Sequence, residues 1–233
     1  MIVVNSKYDL TGGTIRVSGR TLYQIRAKRD LLYAKKGDLG GFVESEDNLV
    51  PYGNAWVADD ACVYEFARVK DDALVCQGAK IFGNATICDN ATVSGVASVS
   101  GFADVRDYAI VRDCAIVGDA ATISDSAVVM DGAKIFGSCR VRGHGTIGGL
   151  VYICSQAKFE GEYNIRHEND YIIVGPIGSR GDFLTVITAN GMAATGCFSG
   201  SLDELEVAAR EKNREDYLDI LPGIRNILER RRR

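Results

Sequence analysis

The sequence predicts a mainly β protein whose body is a parallel β-helix, and three observations carry that prediction. Every sixth residue from Ala55 to Ala133 is alanine. Two places after each alanine stands Val or Ile, from Val57 and Val63 to Val129 and Ile135. Two places before it, most units have Asp or Gly. Alternate residues of a short strand share a face, so alanine and aliphatic both point into a narrow interior. Asp and Gly suit the corners, where backbone torsions are special. A six-residue unit cannot bury its face alone, so stacking must create one continuous core.

The frame persists in degraded form through Cys139/Val141, Gly145/Ile147, Val151/Ile153 and Ala157/Phe159, so the repeat covers residues 53–159. This pattern resembles the left-handed β-helix, or hexapeptide-repeat, family, whose triangular coils use three hexads each. The resemblance implies eighteen residues per coil and about six coils. Positions eighteen apart then stack in columns. The column Trp56, Leu74, Thr92, Ile110, Val128, Thr146 is too apolar for a solvent face, and homo-oligomerisation through it, or through the C-terminal module, is expected. A second column, Cys88, Arg106, Ser124, Arg142, brings two arginines to one face. With His144 they form a secondary candidate anion groove.

Bulk composition limits the function classes. Apolar residues make up 46% and charged residues 25%, the balance of an ordinary globular protein. A net charge of −4 gives no overall argument for duplex nucleic acid or an anionic membrane as partner. Seven cysteines without CxxC spacing suit reduced thiols in a cytoplasm. No apolar run reaches membrane-spanning length, and no signal peptide is read. The expectation is a soluble, cytoplasmic chain without a membrane partner.

Residues 1–52 lie outside the hexad region. "TIRVSGRTLYQIRA" alternates like a hairpin around Ser18-Gly19, and Val43 and Leu49 already fall in the hexad register. This segment reads as a cap on the open end of the helix. Arg16, Arg20, Arg26, Lys28 and Arg29 make it locally basic. The stretch "LYQIRAKRD…KKGDLGGFVESEDNL" resembles the leader segment of hexapeptide-repeat proteins of bacteriophages and prophages.

Residues 160–233 read as a small α+β module. "YIIVGP", "DFLTVITAN" and "GMAATGCFSG" predict three strands joined by Gly turns, and Asn190-Gly191 is a hairpin signal. Ser201 with Glu204 forms a capping box before the apolar stripe Leu202, Leu205, Ala209. A second helix around "REDYLDIL" is expected to break at Pro222.

Chemistry is sparse in the repeat. The enzymes of the family use a histidine base; the chain has two histidines, His144 and His167, and His144, in the hexad frame, is the candidate. No excursion loop interrupts the frame to cover an acyl acceptor, no Cys/His set has metal-ligand spacing, and no nucleotide fingerprint appears. No catalytic residue, metal or cofactor is therefore assigned.

The turn Gly178-Ser179-Arg180-Gly181 offers more. By its residues alone it reads as a plain β-turn with an exposed arginine. Its backbone N–H groups can also converge on one anion, with the Ser179 hydroxyl and the Arg180 fork as further donors, while Phe183 or Phe198 can stack on a base. The order of Ile177, Gly178, Ser179 and Arg180, then Gly196-Cys197-Phe198 and Gly200, resembles small phage proteins that include anti-defence sponges, which capture nucleotide signals of bacterial immunity. That resemblance implies tight binding of a cyclic nucleotide or ADP-ribose-derived ligand without turnover. Two other expectations stand beside it: a structural β-helical oligomer or virion component, and an acyltransferase using His144.

Overall fold

A computed structural model of the chain describes residues 5–178 and 181–231. The hexads form a parallel β-solenoid with three sheets of nine, seven and six strands, the nine including the two antiparallel strands of the N-terminal hairpin at one edge. Thr92 pairs in register with Leu74 on one side and Ile110 on the other, so each coil is eighteen residues long. The solenoid makes about seven turns, one more than the hexad count predicts. The strand Leu39–Val43, whose Val43 is in the hexad register, pairs in parallel with Cys62–Val63, and Asn164–Ile165 extends the other end beyond residue 159. Every repeat alanine and nearly every inward aliphatic is fully buried, so the alternation of small and branched residues fills the interior.

The corners explain the Asp/Gly preference. Every sixth residue from Gly53 to Gly149, at the corners, has left-handed backbone, as at Asp107 (φ 60°), Asp125 (φ 58°) and Gly101 (φ 69°). Glycine takes that conformation freely, and Asp tolerates it through local hydrogen bonding. The aspartates do more, because each carboxylate accepts the backbone N–H of the corner one coil further on: Asp119 to Gly137 at 2.9 Å and Asp131 to Gly149 at 2.9 Å.

The N-terminal segment forms the hairpin β1 (Tyr8–Val17) and β2 (Arg20–Ala27), turning at Ser18-Gly19 as expected. A bulge in β1 between Leu10 and Thr14, and another between Leu39 and Phe42 in the strand that pairs with β2, bend the ribbon. Its far end lies over one solenoid face, where Leu22 is buried with Cys62 and Tyr64, and Ile15 and Val17 pack alongside. Arg20 pins it through Glu44 (2.8 Å) and Glu65 (3.4 Å). The lead-in also covers Trp56, which is only 1% exposed; a side chain at Gly40 would collide with its ring. Trp56 is therefore core, and the expected exposed column begins at Leu74.

The C-terminal segment holds four antiparallel strands in chain order, Tyr171–Ile177, Asp182–Ile187, Met192–Thr195 and Phe198–Ser201. The expected third strand is two, because Gly196, at φ 50°, turns the chain between Thr195 and Phe198. One face of this sheet closes the solenoid core with Ile187, Tyr171, Ile173 and Met192. The other face carries Leu184, Val186 and Ala193 against helices α1 (Leu202–Glu211) and α2 (Glu215–Arg231). The capping box of α1 is present: Ser201 Oγ accepts from Glu204 N and Glu204 Oε2 accepts from Ser201 N.

Helix α2 runs through Pro222 rather than breaking there. Tyr217, Leu221, Ile224 and Leu228 form one buried stripe spanning the proline, which itself sits exposed. Packing of that stripe outweighs the lost hydrogen bond. All seven cysteines are free, and no helix among the described residues is long and apolar enough to cross a membrane.

Candidate functional site

A cleft of about 430 Å³ opens in the C-terminal segment between the Thr195–Phe198 turn and the junction of α1 and α2. The sheet supplies Asp182, Thr195, Cys197 and Phe198; the helices supply Leu205, Ala208 and Ala209, then Lys212, Arg214 and Tyr217. The junction is tight because Asn213 takes left-handed backbone (φ 50°) after the α1 C-cap, which throws Lys212 and Arg214 to the same opening. The turn at Gly196 is tethered from below by the Lys158 ammonium, which donates to its carbonyl.

Arg214 is held in one orientation. Its Nε and Nη2 donate to the two carboxylate oxygens of Asp216 at 3.2 and 3.1 Å, and its guanidinium lies 4.9 Å from the centre of the Tyr217 ring. The same contact holds the Asp216 carboxyl below the ordinary carboxylate range. Nη1 makes no hydrogen bond among the described residues, so it keeps donors for an incoming group. The Tyr217 hydroxyl shares a buried hydrogen bond of 2.9 Å with Thr195 Oγ1 at the base of the cleft. Lys212 is exposed and makes no ion pair among the described residues. Phe198, half-buried, offers ring surface on the opposite wall.

The sequence-predicted residues divide. Phe198 lines the cleft. Gly178, with φ 75°, borders it: any side chain there would strike the Arg214 guanidinium. Gly181 (φ 63°) closes the same hairpin turn, donating its N–H to the Gly178 carbonyl at 3.1 Å, and the next residue, Asp182, lines the cleft. Ser179 and Arg180 lie outside the described residues. Phe183 is not in the cleft, because strand alternation sends it to the other face from Asp182, where it packs on Gly175.

Arg106, Arg142 and His144, the secondary groove, are not among the residues lining this cleft and belong to the solenoid. Arg106 lies 3.6 Å from Asp104 and Arg142 lies 3.9 Å from Glu160, so each cation faces its own carboxylate, and Ser124 between them is buried. His144 is an exposed corner residue. Three cleft residues, Asp182, Lys212 and Arg214, have no motif in the sequence. The only hint is "EKNRED", a charged break between two amphipathic segments, which also reads as a plain solvated loop.

The chain matches no protein-family model and no curated protein sequence.

Proposed function

We propose that this chain is a non-enzymatic binding protein whose C-terminal cleft sequesters a small phosphorylated ligand of nucleotide type. The observation that carries the reading is the fixed Arg214 guanidinium facing Phe198 across a cleft of ligand size. Arg214 Nη1 and the Lys212 ammonium supply cationic donors for phosphate, Phe198 supplies a stacking surface, and Asp182 supplies an acceptor for a base or ribose donor. The resemblance of this segment to phage sponge proteins directs attention to cyclic nucleotides and ADP-ribose-derived signals. Capture without turnover is the corresponding mechanism.

A thermal-shift screen with those nucleotides tests the reading. Wild type gains melting temperature with at least one of them, and Phe198→Ala and Lys212→Glu each abolish the gain, the exposed Lys212→Glu while melting normally without ligand. Equal shifts in wild type and both variants would place the ligand elsewhere.

A second reading rests on the column Leu74, Ile110 and Val128, which stays half-exposed along one flat solenoid face. We propose that the β-helix also serves as an oligomerising spine through this column. Ile110→Asp then yields a monomer by light scattering where wild type is larger; an unchanged mass removes the column from the interface.

A further inference from the structure

The loop between β2 and the Leu39–Val43 strand is built around an apolar tip. Leu31 and Ala34 are buried at 8% and 7% exposure and joined by a hydrogen bond from the Leu31 N–H to the Ala34 carbonyl at 2.8 Å. That anchor forces the two residues between them outward, leaving Leu32 60% and Tyr33 38% exposed. A loop tip is ordinarily polar, and nothing in the turn geometry asks for leucine there.

The tip is one part of a larger patch. Leu39, 53% exposed, pairs in register with Arg26 across the strands. Tyr52, 63% exposed, belongs to the adjoining loop, where Arg29 donates to the Gly53 carbonyl at 2.9 Å. Cations flank the apolar residues on both sides, Arg29 before the tip and Lys35 and Lys36 after it. The two carboxylates of the loop are engaged in shaping it: Asp30 accepts the Lys36 N–H at 2.9 Å and Asp38 accepts the Lys35 N–H at 2.7 Å, and Asp30 also stands 3.7 Å from the exposed Lys35 ammonium. Residues 26–38 hold five Lys/Arg against those two Asp, a local excess of positive charge on a chain whose net charge is −4.

We infer that this end of the solenoid docks on an anionic lipid surface, with Leu32 and Leu39 entering the headgroup boundary and Arg29, Lys35 and Lys36 meeting lipid phosphates and carboxylates. Aliphatic side chains between cations on a rigid support match the two attractions of such a surface, apolar burial and electrostatics. A single-stranded nucleic acid would use the tyrosines and the cations but would leave both exposed leucines unexplained. The net negative charge hid this possibility at the level of composition, because the acids that set it lie mainly along the solenoid corners and the helices. Contact is peripheral and reversible, since only a few side chains enter.

Co-sedimentation of the full chain with lipid vesicles tests this. The protein pellets with phosphatidylcholine vesicles containing about one-third phosphatidylserine, and not with phosphatidylcholine alone, and added salt releases it. Leu32→Ser/Leu39→Ser and Lys35→Glu/Lys36→Glu each lower the bound fraction at least about tenfold, with melting temperature unchanged because all four side chains are exposed. The inference is overturned if wild type stays in solution with the anionic vesicles. It is also overturned if both variants pellet like wild type, or if the patch variants instead lose binding to an oligo(dT) strand that wild type prefers to vesicles.

Discussion

The carboxylate of Asp107 accepts a hydrogen bond from the backbone N–H of Asp125, one coil above it, at 3.0 Å, and Asp125 does the same for Gly143 at 2.9 Å. The corner aspartates thus form a ladder running along the solenoid, each link satisfying an N–H that a left-handed corner leaves without a strand partner. Asp125→Ala loses the acceptor and keeps a β-carbon in left-handed backbone, so it costs about 1–2 kcal/mol by chemical denaturation. Asp125→Asn keeps an acceptor and tolerates that backbone, and stays within about 0.5 kcal/mol of wild type. Equal losses in both variants would show that the ladder contributes nothing.

Lys7 gives a signed pH dependence. Its side chain is fully buried, with Nζ donating to the Val50 and Tyr52 carbonyls at 2.8 and 3.3 Å. Burial, aided by nearby Arg29, pushes its pKa down to about 8. Because the folded value lies below the unfolded one, the unfolded chain binds more protons in between, so this contribution grows as pH rises from about 8 to 10.5. Burial pushes the Cys88 and Cys139 thiols up to about 12, an opposing loss that begins near the ordinary thiol range. The stability difference between wild type and Lys7→Met isolates the lysine: it shifts in favour of wild type by about 2–4 kcal/mol across that window. A flat difference contradicts the burial argument.

The base of the cleft invites a double-mutant cycle. Tyr217→Phe leaves the buried Thr195 hydroxyl without its 2.9 Å partner and costs about 1–3 kcal/mol. Thr195→Val costs a similar amount, because the tyrosine hydroxyl is orphaned in turn. The double variant recovers part of the sum, by about 0.5–2 kcal/mol of coupling. Strict additivity would mean that the pair does not interact.

Gly178→Val places a branched side chain where the Arg214 guanidinium now lies, in backbone that valine avoids. It is expected to destabilise by about 2 kcal/mol or more and to remove ligand-dependent stabilisation. The control is Gly191→Ala, also left-handed but facing open space, which weakens folding and leaves binding intact. Retained ligand response in Gly178→Val would separate the turn from the cleft.

How legible this molecule was depended on the range of the interactions. The solenoid could be read from Ala55 to Ala133 because each coil imposes the same steric demand every six residues, and small corner residues record the left-handed turns. The hairpin at Ser18-Gly19 and the Ser201–Glu204 cap were legible for the same local reason. Trp56 misled because its outward position is set by the repeat, but its burial is set by Gly40 in a segment without a repeat. Pro222 misled because a local propensity lost to a buried stripe formed by tertiary packing. The cleft was half visible: Phe198 stood near a Gly turn, whereas Asp182, Lys212 and Arg214 meet only after the sheet and helices pack. Phe183 and Phe198 look equivalent in the sequence, and strand alternation alone sends the first away from the cleft.

Isothermal titration of the full chain with cyclic nucleotides and ADP-ribose derivatives, followed by chromatography of the recovered ligand, is the most direct test of capture by the C-terminal cleft. The account predicts saturable binding of at least one of these phosphorylated ligands, recovered chemically unchanged, with affinity reduced at least about tenfold in Phe198→Ala and Lys212→Glu. No heat with any of the ligands, or recovery of a converted product, would contradict it.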